Sequence, residues 1–179
     1  MAKSQTRIMT LNIHTACWQD VPAIQTLMTA SAQTLQAPYY PKPVIATALE
    51  LIGGLEELIT TGRFFIAKPE TALIACGGWA QDSTHPEQAE IRSFFVHPEF
   101  ARQGIATQLL NRCERDCARH GIKTLYLTAT LAGEPFYQQR GFSECKRYRH
   151  ILSNGAAFEL VKMVKNFYTP CNHESENSF

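Results

Sequence analysis

The sequence predicts a mixed α/β fold: a central sheet of mixed strand direction with helices on both faces. Three observations predict it. Helical patterns come early and are followed by strand, helix, strand, helix and a terminal hairpin. A β-prone run at 90–96 feeds a long amphipathic pattern at 104–120 and then another β-prone run, which implies parallel pairing across that helix. The chain has 179 residues with 45% apolar content, enough for one substantial core and short for two.

Each element has a local reason. Over residues 7–14, Met9, Leu11 and Ile13 alternate with Thr10 and Asn12, which predicts a first strand. Asp20 offers an N-cap and Pro22 suits a first turn, and Ile24, Leu27 and Met28 keep helical spacing, so a helix is expected over 21–33. The stretch Pro38-Tyr-Tyr-Pro-Lys-Pro43 predicts a loop carrying Tyr39 and Tyr40, because proline lacks a donor and restricts the residue before it. A helical pattern at 44–51 and another at 55–60 are separated at Gly53-Gly54. Runs at 63–68 and 73–80 read as a hairpin.

The strand at 90–96 stops at His97-Pro98, since proline cannot donate into a ladder. Ile105, Leu109, Leu110, Cys113 and Cys117 then fall on one helical face that ends at Gly121. A strand at 124–128, a short helix at 134–140 closed by Gly141, and strands at 142–152 and 156–164 around Asn154-Gly155 complete the series. A single domain over 1–169 is expected, with 170–179 a polar, frayed tail.

Seventeen basic and sixteen acidic side chains leave a net charge of +1, which argues against a diffuse nucleic-acid role. Apolar stretches are too short for a membrane span and residues 1–10 lack a signal-peptide core, so a cytoplasmic protein without a membrane partner is expected. The six cysteines show neither zinc-knuckle spacing nor the density of a disulfide scaffold and read as reduced thiols. Cys113, Cys117 and His120 on one helix do not complete a tetrahedral set, so packing is favoured and no metal is expected.

The segment Phe94-Phe-Val-His-Pro-Glu-Phe-Ala-Arg-Gln-Gly-Ile-Ala-Thr107 carries the chemistry. Its loop opens a helix, where unpaired first-turn N–H groups and the helix dipole favour an anion such as a pyrophosphate. Gly104 lets a phosphate approach the backbone, Ala106 keeps the next turn small, and Arg102 adds a charge-assisted contact. A P-loop would need Lys-Ser/Thr after its second glycine, and a dinucleotide fold would need Gly-x-Gly-x-x-Gly after the strand; neither is present. A second motif, Phe136-Tyr-Gln-Gln-Arg-Gly-Phe142, follows at a later strand.

Together, 94–98, 101–106 and 136–142 resemble the acyl-CoA signature of the GNAT superfamily of N-acetyltransferases, in a small bacterial-type member. The resemblance covers roughly 72–164, and the N-terminal third matches only in element order. The sequence departs at Ala101, where the family has Gln or Arg. Because main-chain N–H groups carry the phosphates, weakened affinity rather than lost function is expected, with Arg102 compensating.

The resemblance implies a mostly antiparallel sheet of about seven strands flanked by about four helices. It also implies acetyl-CoA as co-substrate, bound by Phe94, Phe95, Val96, Arg102, Gln103, Gly104, Ile105, Ala106, Thr107 and Phe136. It makes Tyr137 the general acid toward the departing thiolate, where read alone this residue is more often a packed aromatic than a catalyst. For the base, alternation puts Glu90 on the face of residues 92, 94 and 96; an ion pair with Arg92 is the competing reading. His97 falls on the other face, as a turn histidine. Tyr39, Tyr40 and Trp79 are candidates for the acceptor wall, with ordinary packing open for Trp79. The basic run 146–150 reads as a solvated edge.

The expected activity is direct acetyl transfer from acetyl-CoA to an amine of a small molecule or peptide. The alternatives are a non-catalytic acyl-CoA sensor of the same fold and transfer onto a protein N-terminus or lysine. The resemblance allows a homodimer.

Overall fold

The computed structural model describes residues 11–69 and 72–167. Seven strands form one sheet in the order β1-β2-β3-β4-β5-β7-β6. They are β1 (Ile13–Thr15), β2 (Phe64–Ala67), β3 (Ala75–Gln81), β4 (Gln88–Val96), β5 (Thr124–Thr130), β6 (Ser143–Ile151) and β7 (Ala157–Asn166). Every neighbouring pair is antiparallel except β4 with β5, which runs parallel across a helix as the sequence predicts. Five α-helices, α1 (Val21–Leu35), α2 (Lys42–Ala48), α3 (Leu55–Thr60), α4 (Ile105–Arg119) and α5 (Glu134–Gln139), cover the two faces.

Strand alternation sorts the core into two sides. Phe65, Ala75, Ala89, Ile91, Leu125 and Leu127 pack with Leu109, Leu110, Cys113 and Cys117 of α4 and with Tyr137 of α5. On the opposite face Phe64, Ile66, Cys76 and Ala80 meet Ile24, Leu27 and Met28 of α1 and Leu58 and Ile59 of α3. Val44, Ile45 and Ala48 of α2 pack on Phe158 and Leu160 of β7.

Several boundaries differ from expectation for physical reasons. Helix α2 begins inside the proline-rich stretch, at Lys42, because Pro43 falls in the first turn, where a missing N–H costs nothing. Asp20 makes no cap to α1; its carboxylate accepts from the Cys17 N–H at 3.0 Å, closing a 3-10 turn at 18–20. The first strand is described from Ile13, and its predicted residues 7–10 lie outside the described residues, as does the predicted tail 170–179.

One departure governs the site. Cys76 pairs with Phe95 but Gly78 pairs with Arg92, so β4 holds one residue more than β3 between those rungs. Ser93 occupies this bulge at φ 57°. The side-chain parity of β4 therefore inverts at Ser93. Phe94 and Val96 join Ala89 and Ile91 on the α4 side, and Phe95 packs on the α1 and α2 side. The expectation that Glu90, Arg92, Phe94 and Val96 share a face is corrected: Glu90 and Arg92 lie opposite Phe94 and Val96.

Candidate active site

Strands β4 and β5 pair over only Gln88–Glu90 against Thr124–Tyr126 and then part. The opening lies at the C-terminal half of β4, and a cavity of about 840 Å³ fills it. Phe94, Phe95 and Val96 form one wall, Thr128 and Ala129 the other, and the helices close the ends.

At one end the chain turns into α4. Arg102 (φ 65°) and Gly104 (φ 78°) both take the left-handed conformation. The first intrahelical bond runs from the Gln108 N–H to the Gly104 carbonyl, so the amides of Ile105, Ala106 and Thr107 precede it, and these residues line the end of the cavity. A Cβ at Gly104 would meet nothing within 4 Å, so the glycine answers a backbone requirement and leaves open space before the amides. Such an array of donors fits a pyrophosphate. Of the residues the sequence assigns to acyl-CoA, Phe94, Phe95, Val96, Arg102, Gly104, Ile105, Ala106, Thr107 and Phe136 line the cavity. Gln103 does not; its side-chain amide donates to the Glu99 carbonyl at 3.1 Å.

Tyr137 enters from α5 and lies edge-on to Phe94, Phe136 and Phe142, with ring centroids at 6.5, 5.0 and 5.6 Å. It is 9% exposed, and burial, followed by the nearby Cys113 thiol, pushes its hydroxyl well above the ordinary tyrosine range. The proton is held at neutral pH. On the opposite side of the sheet Glu90 and Arg92 line the cavity as an ion pair, Arg92 Nε donating to Glu90 Oε2 at 2.6 Å and Nη2 lying 2.5 Å from the same oxygen.

The three aromatic candidates for the acceptor wall are placed elsewhere. Trp79 is fully buried beneath α4, its indole N–H donating to Asp116 at 2.9 Å and Arg63 lying over its ring. Tyr40 is buried against Phe158, donates to the Glu159 carbonyl and accepts from the Leu131 N–H, both at 2.7 Å. Tyr39 is half exposed and does not line the cavity. On that side the cavity is lined instead by Ala32 and Leu35 of α1, Ile45 and Ala48 of α2, and Phe158 and Leu160 of β7. Helical spacing marks the α1 and α2 residues as apolar, but it cannot say that they face an opening rather than a closed core. Arg140, also unassigned by sequence, lines the cavity beside Tyr137, its Nε buried without a protein partner among the described residues.

Elsewhere, the His97 ring accepts from the Glu99 N–H at 3.3 Å as a turn residue. Cys113 and Cys117 are fully buried in the core, while the His120 ring packs on Trp79. Arg147 on the edge strand β6 is tied up by Glu134, Glu144 and Glu159. Among the described residues no helix is long and apolar enough to cross a membrane.

Known proteins resemble the chain in sequence and in fold. It is 28% identical over 128 residues to the amino-acid acetyltransferase of Pseudomonas syringae pv. syringae, covering 61% of this chain and 29% of that protein. The chain thus spans less than a third of that relative's length. A GCN5-related N-acetyltransferase of Rhodopseudomonas palustris shares the fold at a TM-score of 0.74 and 18% identity, over 89% of this chain and 97% of that one. The PaiA N-acetyltransferase of Thermoplasma acidophilum, solved in complex with coenzyme A, matches at 0.69 and 18% identity over 89% and 100%. The sequence model of the acetyltransferase (GNAT) family matches residues 25–142, which take in the parted strands, the amide-lined turn and Tyr137. The chain therefore belongs to the GNAT family of acetyltransferases.

Proposed function

We propose that the chain moves the acetyl group of acetyl-CoA directly onto an amine, the two substrates meeting between β4 and β5 from opposite sides of the sheet. The single observation that carries this reading is the parting of these strands after three residue pairs, with the helix-opening turn of α4 at one end and a charged, apolar-walled chamber on the other face. Acetyl-CoA supplies an activated thioester; the chain's residues supply placement and proton transfers.

The amides of Ile105, Ala106 and Thr107, with Arg102, hold the pyrophosphate. The ladder edge of Phe94–Val96 that β5 leaves unpaired is available to the pantetheine amides and to the thioester oxygen. Glu90 takes the proton of the acceptor ammonium, through water, so that a neutral amine attacks. Tyr137, protonated because it is buried, returns a proton to the leaving thiolate. An acyl-enzyme on the neighbouring cysteine is disfavoured, since burial pushes the Cys113 thiol well above its ordinary value and the thiol is the poorer nucleophile.

Calorimetric titration with acetyl-CoA tests the phosphate site. Saturable binding is expected for wild type and none for a folded Gly104→Glu variant, whose side chain fills the space before the amides and carries a negative charge. Binding unaffected by the variant would remove the loop from the reading. Initial rates of thiol release should then give intersecting double-reciprocal lines; parallel lines would mean a covalent intermediate.

A further inference from the structure

The cavity carries an uneven distribution of charge. Among the described residues that line it, Glu90 is the single acid, and the cations are Arg92, Arg102 and Arg140. Arg102 precedes the α4 turn and Arg140 closes α5, both at the acyl-CoA end. Arg92 and Glu90 alone face the acceptor side, beyond the bulge at Ser93.

The pair is arranged so that it is not used up. Nε and Nη2 of Arg92 converge on one carboxylate oxygen of Glu90, and no described residue offers an acceptor to Nη1. Nη1 lies against Gly54, where an added Cβ would stand 3.0 Å away. The outer fork of the guanidinium, Nη1 with Nη2, is therefore left for a second carboxylate, the geometry arginine recognises in two parallel bonds. Around the pair the chamber is apolar, with Leu35, Ile45, Ala48, Phe158 and Leu160, and the polar Ser31 and Gln36 are neutral.

Resting on the acetyl-transfer reading above, we propose that the acceptor is a free α-amino acid with an uncharged apolar side chain. Its carboxylate sits on the open fork of Arg92, its amine beside Glu90, and its side chain in the chamber walled by α1, α2 and β7. The charges decide the class. A plain amine would bring its ammonium up to Glu90 and so place it beside Arg92 with nothing to offset the like charge. A zwitterion brings the compensating carboxylate with it. An acidic side chain would need a further cation on this face, and a polyamine a further acid; the described lining holds neither.

The test measures thiol release by the full chain from saturating acetyl-CoA with L-leucine, L-leucinamide, L-glutamate and spermidine. We expect kcat/KM for leucine to exceed that for each of the others by roughly tenfold or more, the size of one lost charge-assisted contact. Arg92→Gln should erase the preference of leucine over leucinamide, chiefly through KM, with acetyl-CoA titration as the control for folding. A merely structural Arg92 would lower both substrates alike, and a preference that survives the substitution overturns the assignment. Leucinamide or spermidine matching leucine in wild type overturns the substrate class and leaves acetyl transfer standing. Absence of thiol release with all four compounds, despite acetyl-CoA binding, overturns this inference, whereas loss of acetyl-CoA binding itself would overturn the transferase reading.

Discussion

At the scale of single residues the proposed chemistry turns on a phenol and a carboxylate on opposite sides of the sheet. Removing the Tyr137 hydroxyl leaves the ring, its aromatic neighbours and the phosphate turn in place. Tyr137→Phe is expected to lower kcat by about 10²-fold, the lower range of general-acid contributions, while the Kd for acetyl-CoA stays close to wild type. Single-turnover rates and calorimetry check the two halves, and an unchanged kcat removes the residue from the reaction. Tyr137 was legible because two motifs occur in order; its burial was not. The face of Glu90 was misread because alternation assumes an uninterrupted strand. Ser93 at φ 57° interrupts it, and serine gives none of the warning a glycine would. Trp79 and Tyr40 are aromatic in the right region of the chain, but their polar atoms are taken by Asp116 and by the backbone of Glu159 and Leu131. Partners that distant in sequence leave no local mark.

At the scale of elements, β3 sets the position of β4. A Cβ at Gly77 would stand 2.4 Å from Cδ2 and 2.6 Å from Cε2 of Phe94, so the ring lies flat on the bare backbone of the neighbouring strand. Gly77→Ala must push Phe94 toward the cavity, and overpacking of this kind costs about 1–3 kcal/mol. We expect a lower Tm together with a several-fold rise in KM for acetyl-CoA; a lowered Tm with KM unchanged would show the strain relaxing away from the site. Element existence was legible nearly throughout, because proline and glycine punctuation and apolar periodicity agree. The parallel step from β4 through α4 to β5 was legible too, since a strand, a long amphipathic helix and a strand leave few other connections. That β7 enters between β5 and β6 was not. It follows from long-range pairing, which the tight hairpin signal at 154–155 leaves open.

At the scale of the whole molecule, both faces of the sheet hold ionisable thiols in apolar surroundings: Cys113 and Cys117 under α4, and Cys76 under α1. Burial raises all three above the ordinary thiol value. The folded chain thus keeps protons that the unfolded chain releases once pH passes about 8.5. Their contribution to stability is complete below that pH and declines as pH rises toward the folded values. Thermal unfolding should show Tm falling between pH 8 and 9.5, before tyrosines titrate in the unfolded chain. Cys113→Val should lessen the fall, and an equal slope in the variant would assign the alkaline loss to other groups. The α4 end of the cavity lining was legible, because one continuous stretch from β4 into α4 builds it. The opposite chamber is assembled from α1, α2 and β7, whose residues meet only in the finished fold.

The phenol oxygen of Tyr40 joins the segment after α1 to β7 and to Leu131, three residues ahead of the helix that carries Tyr137. On the proposed reading, the acceptor's housing and the proton donor's support are thereby joined through one side chain. A molecule too large for the chamber that levered α1 and α2 outward would also draw on Leu131 and the helix behind it. Misfit would then be penalised twice, once in occupancy and again in turnover, so discrimination between acceptors is expected to be sharper in kcat than in KM.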